Sequence, residues 1–182
     1  MKIKPLIYVF DTNIFLTGID FNIIEGIIYT TPSIIEEIKI SKYINRNRNI
    51  LNKINAAIET RKLRIKSPKS KFIDKIIEVS KKTGDFNALS DADKELIALT
   101  FELIENKNEF VKIYSNDYSI ENVCSDLKIP FSSLYKAGIE SKIIWEIYCP
   151  HCKNIHSAEH LNKICEICGS KLKRRPKNNL IY

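Results

Sequence analysis

The sequence predicts an α/β fold, a parallel β-sheet with helices on both faces, followed by a small C-terminal module held by a metal. Three observations carry this. Short apolar runs alternate with stretches of helical periodicity, the pattern of βαβ units. Two of those runs end in carboxylates, at Asp11 and Asp117. Four of the five cysteines fall into two pairs, Cys149-x2-Cys152 and Cys165-x2-Cys168.

The elements follow in order. Leu6 to Phe10 is an unbroken apolar run closed by Asp-Thr-Asn, which reads as a buried strand. Ile27 to Thr30 reads as a second strand. Pro32 then opens a helix, because its missing N–H falls where no intrahelical partner exists. Ile34, Ile35 and Ile38 keep helical spacing behind it. Arg48 to Lys62 is a further helix, with Ile50, Leu51, Ile54, Ala57 and Ile58 on one face, and Leu63 to Lys66 a short strand. Ile73, Ile76, Ile77 and Ser80 form the stripe of an amphipathic helix that Gly84 ends. Ser90-x-x-Asp93 has the form of a helix cap, and Leu96, Leu99, Leu103 and Ile104 continue that helix. Phe110 to Tyr114 is another apolar strand, Tyr118 to Leu127 a helix, and Pro130 to Leu134 an edge strand.

With 182 residues, 44% hydrophobic and 28% charged, the chain has the make-up of one globular domain plus an appendage. No stretch approaches the roughly 20 apolar residues that span a bilayer. Leu6 to Phe10 is too short for a signal core, so the expected location is cytoplasmic, with no membrane partner. The formal charge of +7 is unevenly spread. Between Lys39 and Lys71 stand 11 basic residues against the single acid Glu59, and residues 149–182 carry 7 against 2. The rest of the chain is acidic. The expected boundaries are a body over 1–145, a metal module over 146–173 and a basic flexible tail over 174–182.

In an open parallel sheet, function sits at the carboxyl ends of the strands. Asp11 and Asp117 lie at such ends. Glu37 follows the second strand, and Asp93 lies in a first helical turn. Carboxylates brought together repel and need counter-charge. A hard divalent cation such as Mg²⁺ or Mn²⁺ supplies it through oxygen ligands, and can activate water for attack on a phosphate. Asn13 and Ser115 are placed to hold those carboxylates or a water. Spacing alone leaves a second account open, in which Asp11 and Asp117 are turn residues, Glu36 or Glu37 a solvated charge, and Asp93 helix-dipole chemistry.

Two Cys-x2-Cys knuckles separated by 12 residues are a strong sign of one tetrahedral structural zinc site. So short a segment cannot fold on core burial alone, and the metal supplies its folding energy. Inside the arm, His156-x-x-Glu159-His160 matches a metalloprotease pattern. That chemistry needs a stable helix and a third ligand, which a loop between knuckles does not provide. Cys124, mid-helix among apolar residues, reads as a buried structural cysteine.

The Tyr-Val-Phe-Asp11-Thr-Asn13 opening, Glu37, Asp93 and the Ser-Asn-Asp117 strand end resemble the PIN-domain nucleases, whose fold is a Rossmann-like parallel sheet. The segments IYTTPSIIEEI (28–38), SKKTGDFNALSDAD (80–93), ALTFEL (98–103) and NDYSIENV (116–123) resemble more closely the Nob-type endoribonucleases, which carry a zinc ribbon after the PIN domain. The resemblance implies metal-dependent cleavage of precursor small-subunit rRNA at its mature 3′ end. It implies that Asp11, Glu37, Asp93 and Asp117 are the metal-binding acids, and that the partners are the pre-ribosomal small subunit and a KH-domain assembly factor. One departure is Asn116, where many PIN domains have a further acid. The basic insertion, with Arg46, Arg48, Lys53, Arg61, Lys62 and Arg64, reads either as a solvated helix face or as a surface that tracks RNA phosphates. Lys173, Arg174 and Arg175 in the tail are read the same way. Tyr43, Trp145 and Tyr148 are placed to stack on unpaired bases or to pack at a hinge.

Overall fold

A computed structural model describes residues 6–40, 44–107, 110–133 and 143–177. Five strands form the body's sheet: β1 (Ile7–Phe10), β2 (Ile27–Thr30), β3 (Leu63–Ile65), β4 (Val111–Tyr114) and β5 (Phe131–Ser132). Their order is β3-β2-β1-β4-β5, and every neighbouring pair is parallel. The helices are α1 (Thr12–Phe15), α2 (Pro32–Ile40), α3 (Ile44–Glu59), α4 (Ser70–Thr83), α5 (Asp91–Lys107) and α6 (Tyr118–Asp126). The chain builds outward from β1 to β3, then returns to lay β4 on the other side of β1. The chain-order reversal therefore lies between β1 and β4, and a crevice opens there at the carboxyl ends. Asp11 and the Ser115–Asp117 turn lie at its mouth.

β1 and β2 are largely buried on both faces, which is why they read as continuous apolar runs, whereas β4 alternates, with Lys112 and Tyr114 partly exposed. Ile7, Val9, Phe10, Ile28, Val111 and Ile113 are all buried. Ile34, Ile35 and Ile38 of α2 and Leu96, Leu99 and Leu103 of α5 join the same core.

Local differences from the sequence pattern have physical causes. In α3 the buried positions are Ile54 and Ala57, while Ile58 is partly exposed. The helix ends at Glu59, and Arg61 takes a left-handed φ of 59° to turn the chain into β3. In α4 the core stripe is Phe72, Ile76, Val79, Ser80 and Thr83 rather than one centred on Ile73 and Ile77. Both stripes have helical period, and which isoleucines face inward depends on how α4 lies across α5. Pro130 stands outside the short β5, and Leu134 and Tyr43 lie outside the described residues.

The C-terminal module is an antiparallel sheet of β6 (Trp145–Tyr148), β7 (Ile155–His156) and β8 (Lys173–Pro176), in the order β7-β6-β8. This corrects the expected tail. Lys173, Arg174, Arg175 and Pro176 form a strand paired with Tyr148 to Trp145, because β6 needs a partner on its second edge. The module thus begins at Trp145 and runs at least to Pro176.

The module is docked on the body. Gly84 closes α4 in the left-handed conformation (φ 81°), and a Cβ there would lie 2.4 Å from the Trp145 carbonyl oxygen. Asn122 of α6 pairs with the backbone of Ile143 in both directions, and Lys81 meets Glu159 at 2.5 Å. Gly84→Ala should therefore destabilise the protein well beyond the roughly 1–2 kcal/mol cost of left-handed backbone, whereas Gly18→Ala, at φ 75° with nothing within 4 Å, should cost only that amount. Urea denaturation of the two variants checks this.

Candidate active site and metal-binding module

Asp11 caps α1. Its Oδ1 accepts from the Thr12 N–H at 2.6 Å, and its Oδ2 accepts from Asn13 Nδ2 and Ser115 Oγ, each at 2.7 Å. Ser115 Oγ also accepts from the Asp117 N–H at 3.0 Å, so one hydroxyl ties the end of β1 to the turn after β4. Asp117 caps α6 by accepting from the Ser119 N–H at 2.7 Å. Asp93 sits in a reciprocal cap: its Oδ2 accepts from the Ser90 N–H and Oγ–H, and Ser90 Oγ accepts from the Asp93 N–H. Glu37 accepts from Thr12 Oγ1 at 2.6 Å, while its neighbour Glu36 turns outward to Lys39. Of the two, Glu37 is thus the residue linked to the Asp11 turn.

The acids share one electrostatic field. Asp11 is 4% exposed. Burial pushes its carboxyl from 3.8 up to about 6, opposed by the hydrogen bonds from Ser115 and Thr12 and reinforced by the charges of Asp93 and Asp117. Asp93 is raised by burial, against its Ser90 hydrogen bonds, with Asp117 and Glu37 adding to the shift. Hence all four sequence-expected acids, delivered by four separate segments, feel one another's charge through these pairs. Asn13 and Ser115 stand beside Asp11 as expected. Thr12, given no role from sequence, supplies the link to Glu37. Its only signal was its place inside the Asp-Thr-Asn triplet.

The chemistry of this donor set fits a hard divalent cation: carboxylate oxygens, an amide and hydroxyls, with no basic side chain among these contacts. Asn13 Oδ1 is buried with no partner among the described residues, an open acceptor on the side chain that holds Asp11. Asn116 accepts from Ser133 Oγ at 2.7 Å, so the position that departs from the PIN pattern adds no charge.

The cysteines converge more tightly. Among the described residues, Cys149, Cys152, Cys165 and Cys168 are the donors whose ligand atoms all lie within 4.8 Å of one another. Cys149 and Cys168 sulfurs are 3.4 Å apart, and those of Cys152 and Cys165 3.6 Å. A tetrahedron with zinc–thiolate arms of 2.3 Å has edges of ~3.8 Å. The two knuckles repeat one turn. The N–H of Lys153 donates to the Cys149 carbonyl and that of Gly169 to the Cys165 carbonyl, with left-handed φ at Lys153 (64°) and Gly169 (75°). Hydrogen bonds from Ser170 draw the Cys168 thiol down to about 6, which favours the ligating thiolate. His156 lies 3.5 Å from the Cys165 sulfur, and Glu159 pairs with Lys81. His160 ends a three-residue turn, so no helix presents the protease-like pattern. Cys124 is fully buried, and burial pushes its thiol up, as an inert core cysteine requires.

The basic residues divide. Arg48, Arg61 and Lys173 are exposed, and Arg46 lies outside the residues whose side chains are described. Lys53 donates to the Gly18 carbonyl at 2.8 Å. Lys62 donates to the carbonyls of Ile24 and Gly26. Arg64 donates to the Tyr29 hydroxyl at 3.1 Å. Arg174 reaches the fully buried Asp85 at 3.1 Å, and Arg175 pairs with Glu146 at 2.7 Å across β6 and β8. Sequence patterning finds cations but not these partners, which come from other elements. No helix among the described residues is long and apolar enough to cross a membrane.

Residues 8–103 match the family model for the PIN domain of ribonuclease. Together with the strand-end acids at the switch point, that match defines a PIN-domain ribonuclease, and the chain belongs to that family. It is 36% identical over 175 residues to the endoribonuclease Nob1 of Methanocaldococcus jannaschii, covering 96% of this chain and 78% of the relative. It is 32% identical over 169 residues to the endoribonuclease Nob1 of Pyrococcus abyssi, covering 93% of each. Within the PIN ribonucleases it is a member of the Nob1 endoribonuclease family. A ribonuclease named VapC1 from Thermoplasma acidophilum is also similar, at 31% over 169 residues, covering 93% of this chain and 78% of that protein.

Two outcomes test the site. A carboxyl whose folded pKa lies above its unfolded value holds its proton more tightly when folded, so its stability contribution is present below about pH 4 and is lost as pH rises to about 6. In buffer without added divalent cation, Asp11→Asn should match the parent near pH 4 and exceed it by up to about 3 kcal/mol at pH 7; urea titrations across pH read the difference. Cys152→Ser should unfold the module while the body stays folded. Trp145, the only tryptophan, should shift its emission to the red while the helical circular dichroism holds.

Proposed function

We propose that this endoribonuclease cuts precursor small-subunit rRNA to generate its mature 3′ end, in the cytoplasm. Supporting this are relatives named endoribonuclease Nob1 that match over both body and cysteine module. The observation that carries the catalytic reading is the electrostatic coupling of Asp11 with Asp93 and Asp117, and of Asp93 with Asp117 and Glu37, around the carboxyl ends of β1 and β4. In this reading the four acids hold Mg²⁺ or Mn²⁺, and the four cysteines hold one structural Zn²⁺. When bound, the divalent ion neutralises the acids, activates water and offsets charge on the phosphodiester.

The protein's own groups supply position. Ser115 and Asn13 fix Asp11 Oδ2, leaving the carboxylate no freedom to turn into the core. Ser90 fixes Asp93, and Thr12 orients Glu37. Asn13 Oδ1 offers an acceptor for a water at the crevice. Attack on phosphorus in line with the departing 3′ oxygen breaks the P–O3′ bond, and the proton from water ends on that oxygen. The upstream RNA leaves with a 3′-hydroxyl. The exposed cations Arg48, Arg61 and Lys173 are the most available for RNA phosphates. Lys53, Lys62, Arg64, Arg174 and Arg175 already bind protein groups and contribute chiefly by field. The KH-domain partner belongs to this reading through family resemblance alone.

The VapC1-named relative favours a second reading, a ribonuclease with another RNA substrate. One experiment separates them. An RNA spanning the 3′ end of small-subunit rRNA is incubated with the protein, with and without Mn²⁺, and the ends are mapped. A single Mn²⁺-dependent cut at the mature end, lost by at least about 100-fold in Asp11→Asn and Asp117→Asn, is the expected result. Cutting at many unrelated sites favours the second reading. Full activity in Asp11→Asn removes the acidic site from the mechanism.

A further inference from the structure

The seam between body and module holds two hollows that the catalytic reading does not use. One is a cavity of about 380 Å³ whose walls include Tyr118, Asn122, Trp145 and Arg174. The other, of about 510 Å³, includes Lys171 and Lys173. Arg174 lines both. Tyr118 directly follows Asp117 and is 50% exposed, so the first cavity adjoins the acidic crevice.

The chemistry of the seam is selective. The Arg174 guanidinium lies 4.5 Å from the Trp145 ring centroid. Its bond to the buried Asp85 fixes that stacked plane. Asn122 spends both amide hydrogens, on Asp85 and on the Ile143 carbonyl, and accepts from the Ile143 N–H. The polar floor is therefore largely satisfied and offers few free donors to a sugar or peptide. What it offers is a rigid stacking surface, an exposed tyrosine and a fixed cation. A flat π-system suits that surface, and bases stack on aromatic rings and on guanidinium planes alike. Lys171 and Lys173 in the second hollow suit an anion. One nucleotide carries both halves.

We propose that the seam seats one unpaired nucleotide of the RNA beside the scissile phosphodiester, its base against Tyr118 and the Arg174–Trp145 stack and its phosphate toward Lys171 and Lys173. This rests on the acidic crevice being the cutting site. Tyr118 and Trp145 act here as positioning residues that set where the strand lies.

The test uses full-length Asp11→Asn protein, expected from the proposed function not to cut, and RNAs carrying 2-aminopurine at successive positions around the cut. Fluorescence quenching should peak at one register next to the cut. It should be lost in the additional variant Tyr118→Leu, with affinity down about 5- to 150-fold, the range for one stacked base, and kept in Tyr118→Phe. In protein with Asp11 intact, an abasic nucleotide at that register should raise KM while kcat holds, and should add nothing in Tyr118→Leu. Uniform quenching at every register overturns the proposal, as does an abasic penalty that persists unchanged in Tyr118→Leu. Cutting of unmodified RNA keeps the readings apart. Asp11-dependent cutting with no favoured register sinks the nucleotide seat alone, whereas cutting independent of Asp11 sinks the catalytic reading and the seat's placement with it.

Discussion

Asp11 is a carboxylate taken out of water at the point where the chain order of the sheet reverses, and much of the surrounding structure answers that placement. Burial, with the charges of Asp93 and Asp117 behind it and the Ser115 and Thr12 hydrogen bonds against it, leaves its carboxyl raised to about 6. Three protein donors meet it: the Thr12 N–H, the Asn13 amide and the Ser115 hydroxyl. The first two are local to the turn, and only the Ser115 hydroxyl comes from a segment that must be in register for the bond to form. Ser115 reaches Asp11 because β1 and β4 pair in parallel with Phe10 opposite Tyr114, which brings the two strand ends level. The site is thus a consequence of strand register. A shift of one residue would turn Asp11 into the opposite layer.

Around that carboxylate, two of the other acids are held by helix caps, and Glu37 by the Thr12 hydroxyl. Asp117 caps α6 and Asp93 caps α5 through Ser90. A cap fixes a side chain by backbone N–H groups, and the positive end of the helix dipole tempers its charge. Capping and metal binding, which from sequence stood as rival accounts of these residues, are compatible in space. Asp11 gives one oxygen to the Thr12 N–H of its helix and the other to Asn13 and Ser115, while Asp93 and Asp117 each hold their cap through a single oxygen.

The module solves a different problem with different forces. Its apolar core is Ile147, Leu172 and two of the cysteines, too little to fold unaided. The thiol cluster supplies what burial cannot. Its docking on the body comes from buried polar contacts. Asp85 is fully buried and raised by burial, with Asn122, Thr83 and Arg174 opposing that shift. The Ser-Lys-Lys-Thr-Gly-Asp run (80–85) is where these contacts gather: Lys81 with Glu159, Gly84 under Trp145, and Asp85 with Arg174.

The sequence by itself determined the five strands of the body's sheet, the helix start at Pro32 and the two cysteine pairs that cluster in space. Apolar runs, caps and knuckle spacing act over a few residues, so their physics is written locally. Asp11, Glu37, Asp93 and Asp117 could be named from pattern and resemblance, and the parallel sheet needed to gather them was legible from alternating elements. Only the tertiary structure decided that Thr12 links Glu37 to Asp11, that α4 buries Phe72 and Val79, and that residues 173–176 form a strand instead of a tail. It also decided that Arg174 belongs to Asp85. These depend on which surfaces meet across long stretches of chain, and a charge or an isoleucine carries no mark of the partner it will find there.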